Sequence, residues 1–201
     1  MKKVLKVLLI IVLIIALLIG GFMFLLAGSY SRVKRDINSY STDVEKVCNA
    51  AKLMPDLESL GSYTDIEYRY KIKCYSTLVG FYSDGLALFV TYDKDQYETF
   101  KNQAISNYTF LQAPVYDSRG YYELPVTEFN YKGYTMKVVP DEEYIGFCAC
   151  KSFMLLGFND EANTIAFLYY HDIDIDYIAE AGENLEEEMC KLVDSAFSWA
   201  G

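Results

Sequence analysis

The chain has 201 residues and a formal net charge of −10, and all 28 of its acidic residues lie from Asp36 onward. Only 12 of the 18 basic residues share that region, so residues 36–201 carry a formal charge of −16, which disfavours nucleic acid and anionic lipid surfaces as partners. Aromatic residues make up 16% of the sequence, which excludes a disordered tail because such segments lack the side chains to build an apolar core.

An uninterrupted apolar run occupies the N-terminal region. Residues 7–27 are 21 positions without a charge, and a helix of that length spans about 30 Å, the hydrocarbon thickness of a bilayer. Because the core of a signal peptide has only about 7–15 residues, the run predicts an uncleaved transmembrane anchor over residues 1–29, with the lipid bilayer as the partner of residues 7–27. A signal peptide cleaved near Ser29 and a buried soluble helix are the alternatives.

Basic residues flank the apolar run on both sides, so the positive-inside bias is nearly balanced. We expect a single-pass protein of the cytoplasmic membrane, with a short basic tail in the cytoplasm and an extracytoplasmic acidic domain. The reverse orientation is the alternative, and it would keep the cysteines reduced. The five cysteines lie in apolar patterns without CxxC spacing, which predicts that they are buried as small hydrophobes; disulfides are the alternative if the domain is exported.

The first half of the remaining chain predicts a stalk, a helix and a hairpin. Residues 30–41 read as a polar stalk, and residues 42–201 read as a single domain. Thr42 and Glu45 form a capping box at the start of a helix. The alternation from Ile66 to Cys74 predicts a half-buried strand, and the Ser83-Asp84-Gly85 sequence predicts a turn before a second strand over residues 86–92.

The second half predicts two further hairpins between two helices. Asp93 is the expected N-cap of one helix and Asn184 that of the last helix. Between them, residues 112–125 read as a loop, and strands are predicted to pair at 127–131 with 134–139 and at 145–158 with 164–170. Since hairpins dominate and no βαβ alternation occurs, we expect an α+β fold in which an antiparallel sheet of about six strands has helices on one face.

The stretch His171-Asp172-Ile173-Asp174-Ile175-Asp176 is the sharpest candidate for chemistry. Four acidic residues have the spacing of oxygen ligands in an EF-hand loop, which predicts a Ca²⁺ site formed by Asp172, Asp174, Asp176 and Glu183. Tyr177 stands where such a loop needs glycine, so the alternative is a strand end with a solvated acidic side. No other cofactor is expected. His171 is the only histidine, so a Ser–His–Asp or Cys–His set would have to use it, and no GxSxG motif is present.

Tyrosines concentrate after the second predicted helix, and exposed tyrosines make good recognition surfaces. The predicted binding surface consists of Tyr116, Tyr121, Tyr122, Tyr131 and Tyr134; the alternative is that these residues simply favour strands. The sequence therefore favours a membrane-anchored binding or accessory protein for a protein, peptide or glycan over an enzyme. A metal- or carboxylate-dependent hydrolase using the acidic stretch at residues 171–176 is one alternative, and a cytoplasm-facing regulatory or protective protein is another.

Overall fold

The structure, a computed structural model, describes residues 2–27, 30–76, 80–141, 151–173 and 177–199. Its helices and strands follow in the order α1 (Lys2–Ala27), β1 (Tyr30–Lys34), α2 (Tyr40–Lys46), α3 (Ala50–Leu53), β2 (Asp65–Ser76), β3 (Phe81–Thr91), α4 (Lys94–Asn107), β4 (Val115–Tyr116), β5 (Tyr122–Leu124), β6 (Glu128–Tyr131), β7 (Tyr134–Pro140), β8 (Lys151–Asn159), β9 (Thr164–Asp172) and α5 (Leu185–Phe197). Short 3₁₀ helices lie at Ile37–Ser39 and Leu57–Leu60.

The apolar run lies within α1, whose side chains are described at Lys6 and from residue 10 to residue 23. The large apolar side chains in that stretch are between about half and two-thirds exposed. Among the described residues, no helix has the length and hydropathy needed to cross a bilayer. The predicted transmembrane anchor therefore stays a prediction.

The domain is α+β and centres on a seven-stranded antiparallel sheet with the order β1-β2-β3-β9-β8-β7-β6. The three central strands β3, β9 and β8 are buried along nearly their whole length, as expected for strands covered on both faces. A separate two-stranded sheet joins β4 to β5 in the region predicted to be a loop.

Helices cover both faces of the sheet, so the prediction of helices on one face is wrong. The first face carries Leu86, Leu88 and Val90 of β3 and packs against α2, α3 and α4. The second face carries Ala87 and Phe89 and packs against α5. Because successive residues of a strand point to opposite faces, a continuous apolar run such as that of β3 requires cover on both sides.

The N-terminal part of the domain also differs from its prediction. Residues 30–34, predicted to belong to a stalk, form the edge strand β1, in which Tyr30 lies opposite Cys74 and Lys34 lies opposite Tyr70. The predicted first helix is divided into α2 and α3 by Asn49, whose φ of 59° is left-handed. The last helix begins as predicted, with the Asn184 side chain accepting a hydrogen bond from the Glu187 amide.

The predicted turn at Ser83-Asp84-Gly85 does not form, because these residues lie inside β3. Gly85 is required there by close packing: a Cβ atom at this position would overlap the backbone carbonyl oxygen of Ala196 at the end of α5. The hairpin predicted across Lys132 and Gly133 does form, with φ values of 48° and 82° that suit a tight two-residue turn. The glycine at position 85 therefore permits close helix packing, whereas the glycine at position 133 permits a turn.

Candidate functional site

Two adjacent cross-strand rows of polar residues occupy one end of the central strands. In the first row, His171 of β9 lies opposite both Asp84 of β3 and Ser152 of β8. In the second row, Asp172 lies opposite both Ser83 and Lys151. All six side chains are buried. Since buried polar groups cost free energy unless they are paired, two such rows in a core mark this end of the sheet as the candidate site.

The first row points to the face covered by α2. The Asp84 carboxylate accepts a hydrogen bond of 2.7 Å from the Tyr70 hydroxyl, and its other oxygen lies 3.9 Å from His171 Nδ1. The Ser152 hydroxyl donates to Asp141 at 2.7 Å. Asp84 and Asp141 each accept a hydrogen bond from a neutral hydroxyl group, which orients the carboxylate without neutralising its charge.

The environment shifts the ionisation of Asp84 and His171 in opposite directions. Burial raises the pKa of Asp84 above its usual 3.8, against the lowering effects of Tyr70 and His171. Burial also lowers the pKa of His171 below 6.5, against the raising effects of Asp84, Asp172 and Asp141. His171 is consequently neutral at pH 7, so it does not supply a full countercharge to Asp84.

Asp84 forms part of the wall of a cleft at the edge of the sheet. The cleft has a volume of about 410 Å³, within the range that is usual for sites of small ligands. We call it the Asp84 cleft; it is lined by Tyr30, Lys46, Tyr70, Ile72, Cys74, Gly80, Tyr82 and Asp84. A desolvated carboxylate therefore lies beside three tyrosines in an open cleft, which is an arrangement that can bind a ligand.

The second row points to the opposite face, towards α5. Asp172 accepts a hydrogen bond of 2.6 Å from Tyr170, and the Tyr75 hydroxyl lies 3.4 Å from the same carboxylate oxygen. Asp172 is only 1% exposed, so the alternative of a solvated acidic strand end is wrong for this residue. Lys151, directly across the strands from Asp172, is equally buried.

A second cleft of about 240 Å³ lies between β2 and α5, and three lysines line it. Lys71 donates to the carbonyl of Ser195, and the Lys73 ammonium lies 4.5 Å from the centre of the Tyr75 ring. The third, Lys191, pairs with Glu188 at 2.7 Å and with Glu187 at 3.2 Å. All three ammonium groups are thus engaged within the fold, which makes this cleft a weaker candidate for ligand binding than the Asp84 cleft.

The first row also contains the residue types of a Ser–His–Asp triad, but the geometry does not suit acyl transfer. The 3.9 Å between His171 and Asp84 exceeds hydrogen-bond length, and the Ser152 hydroxyl is directed to Asp141. Ser152 is also buried and, unlike Asp84, does not line the cleft, so a substrate carbonyl could not reach its hydroxyl without local opening. The arrangement favours binding over nucleophilic catalysis.

The predicted Ca²⁺ ligands are only partly within the described structure. Asp172 lies at the end of β9, where Tyr170 and Tyr75 engage its carboxylate, and Glu183 accepts a hydrogen bond from the Glu180 amide. Asp174 and Asp176 lie outside the described residues. Among the residues that are described, no group of three or more acidic, histidine or cysteine side chains could hold a metal ion. The Ca²⁺ site stays a prediction.

The predicted tyrosine surface divides into two groups. Tyr116 and Tyr122 contact each other with ring centres 4.6 Å apart, and Tyr121 stacks on Tyr177 at the same distance. Tyr131 and Tyr134 instead pack against Trp199, with ring centres 5.6 and 5.2 Å away, and border the core beneath α5. Tyr116 is the exposed member of the five, at 54%, and the tyrosine binding surface stays a prediction.

The cysteines that the structure describes differ in burial. Cys48, Cys74 and Cys190 are free thiols, and only Cys74 is buried. The prediction of burial is therefore wrong for Cys48, which is exposed where α2 gives way to α3. Cys148 and Cys150 lie outside the described residues.

Sequence reasoning missed Asp84 because the Ser-Asp-Gly sequence is typical of a turn. The signal that could have found it is the alternation in β3, where Asp84 is in phase with Leu86 and Leu88 of the first face. Extending that period of two backwards from the apolar residues would have placed the carboxylate on a buried face.

No protein-family model matches this chain, and no curated protein or solved structure is similar to it at a meaningful level. The site's own geometry and chemistry must therefore support any functional conclusion.

Proposed function

We propose that this chain is a membrane-tethered ligand-binding domain. The apolar run at residues 7–27 holds it in the cytoplasmic membrane as a single-pass anchor. The acidic α+β domain lies on the extracytoplasmic side, and the Asp84 cleft is its ligand site. The protein binds and presents or senses its ligand and performs no reaction on it.

The main support for the tether is the uncharged run at residues 7–27. It has 21 residues, and a helix needs about 20 residues to span a bilayer. The large apolar side chains described between residues 10 and 23 are exposed rather than packed in a core. An apolar surface of that kind is costly in water and favourable in lipid.

Chain connectivity relates the ligand site to the tether. Tyr30 lines the Asp84 cleft and is also the first residue of β1, three positions after Ala27 at the end of α1. An extended chain covers at most about 11 Å in three positions, so the cleft lies at the end of the sheet nearest the anchor. A ligand in this cleft would therefore be held close to the membrane surface.

Fractionation of cells that produce the full chain tests the tether. The protein is expected in the membrane pellet and is expected to resist extraction by alkaline carbonate, since an integral helix is not released by removing peripheral contacts. Recovery in the soluble fraction would refute the tether. A mature N-terminus near Ser29 would refute it as well.

Labelling of Cys48 with a membrane-impermeant maleimide tests the orientation. This thiol is exposed, so an extracytoplasmic domain is expected to be labelled on intact cells. The matched control is Cys48→Ser, which should remove that label. Labelling that appears only after lysis would overturn the proposed orientation in favour of a cytoplasm-facing domain.

A further inference from the structure

We propose that the Asp84 cleft binds a protonated alkylamine, with the ammonium group on the Asp84 carboxylate and the alkyl part among the tyrosines. The inference rests on the proposed function only in taking this cleft as the ligand site. It would stand equally for a chain that is not tethered to a membrane.

Asp84 is a carboxylate whose hydrogen-bonding capacity is only partly used. It is 5% exposed, accepts one hydrogen bond from Tyr70, and has a neutral His171 3.9 Å from its second oxygen. Two carboxylate oxygens offer about four acceptor positions, and an ammonium group has three donors. A cationic ligand would supply the partner that this desolvated group lacks, which is the condition under which a buried charge is stabilised.

The lysine in the cleft wall does not already fill this role. The Lys46 ammonium lies 4.0 Å from Asp43, on α2. Across the described parts of the chain, no lysine or arginine forms an ion pair with Asp84. An amine entering the cleft would therefore meet a carboxylate that is still available to a cation.

The rest of the lining suits an organic cation better than a bare metal ion. The side chains of Tyr30, Tyr70 and Tyr82 border the cleft, and the faces of aromatic rings attract ammonium groups. Ile72 and Cys74 provide apolar contact for an alkyl chain. A hard divalent cation would instead need several oxygen ligands, and Asp84 is the cleft's one carboxylate among the described lining residues.

The charge of the domain favours a cation as well. Residues 36–201 carry a formal charge of −16, so the field of the domain concentrates cations and repels anions around its openings. This long-range attraction raises the association rate of an amine and gives the site selectivity against a carboxylate of the same size.

Calorimetric titration of the full chain in non-ionic detergent tests the proposal, with n-butylammonium, 1-butanol and butyrate as matched probes. Only n-butylammonium is expected to bind. In Asp84→Asn its affinity is expected to fall about 30-fold or more, because the ligand's charge would lose its buried partner. The control Asp65→Asn, at the far end of the same strand pair, removes the same charge and is expected to bind as the unaltered chain does.

Asp84→Asn is expected to fold, since the amide can keep the hydrogen bond to Tyr70, and circular dichroism and the melting temperature verify this. Tyr82→Leu provides a second variant, with an expected loss of about 2- to 5-fold from one ring–cation contact. Equal binding of n-butylammonium and 1-butanol, undiminished binding to a folded Asp84→Asn, or an equal loss in Asp65→Asn would each overturn the proposal. A chain that binds the amine but is not retained in membranes would refute the tether alone, and a membrane-retained chain that binds no amine would refute this inference alone.

Discussion

The end of α5 packs closely against the sheet at Gly85, and Gly85→Ala tests whether this close packing holds the helix in place. A Cβ atom on residue 85 would overlap the carbonyl oxygen of Ala196, which is backbone and cannot rotate away. The end of α5 would have to retreat by about 1 Å to restore an ordinary van der Waals contact.

That retreat adds two losses to the cost of overpacking. Overpacking a core typically costs about 1–3 kcal/mol. The same movement pulls on the hydrogen bonds that Lys71 and Arg69 donate to the carbonyls of Ser195 and Ser198, and it loosens Phe197, which is 1% exposed. Alanine is more favourable than glycine in a strand by about 0.5–1 kcal/mol. After this gain is subtracted, we expect the free energy of unfolding to fall by about 3 kcal/mol.

Urea unfolding monitored by circular dichroism measures this loss, and the melting temperature is expected to fall by about 6 to 12 °C. Gly157→Ala is the matched control, since Gly157 is also buried in a central strand. A Cβ there meets Met136 Sδ at 2.6 Å, the flexible part of a side chain that can move aside, so we expect a loss of about 1 kcal/mol or less. Equal losses in the two variants, or a neutral Gly85→Ala, would refute the reasoning.

Two further predictions concern buried charges. Burial alone would raise the pKa of Asp43, but hydrogen bonds from Lys34 and Ser39 hold this pKa below 3.8. The ionised carboxylate therefore stabilises the fold above pH 3.8, and this contribution is lost as the pH falls through the lowered pKa. In urea unfolding, Lys34→Met should therefore cost about 2 kcal/mol at pH 7 and much less once the pH falls below the lowered pKa of Asp43, and a penalty independent of pH would contradict this pairing. Because burial lowers the pKa of His171 below 6.5, the unfolded chain takes up the proton first and stability should fall as the pH drops below about 6.5. His171→Gln should remove that fall between pH 7.5 and pH 5.5, whereas an unchanged pH dependence would show that another group causes it.

The fold was predictable where a local pattern and the tertiary contacts agree. The alternation in β2, the turn at Lys132 and Gly133, and the cap at Asn184 each rest on residues close together in sequence, and all three predictions are confirmed. The prediction failed at Ser83-Asp84-Gly85, where local propensity indicates a turn but the neighbouring strands β2 and β9 and the packed end of α5 hold an extended strand.

The candidate site could not be read from the sequence for a related reason. Asp84 and His171 are 87 positions apart, and the antiparallel pairing of β3 with β9 brings them together. Their shifted pKa values are properties of burial, which a one-dimensional pattern does not reveal for a polar residue. The predicted tyrosine surface shows the converse: Tyr122 and Tyr131 are close in sequence but contact different partners, because β5 and β6 belong to different sheets.

The sequence by itself determined the α+β class, the antiparallel hairpins and the separation of an apolar N-terminal run from an acidic domain, since each follows from composition or from a period of a few residues. The tertiary structure alone decided that helices cover both faces of the sheet and that two carboxylates, a histidine, a lysine and two serines are buried at its end. The physical reason is that strand register and helix packing bring together residues from distant segments, and burial then sets the hydrogen bonding and ionisation of the groups that meet.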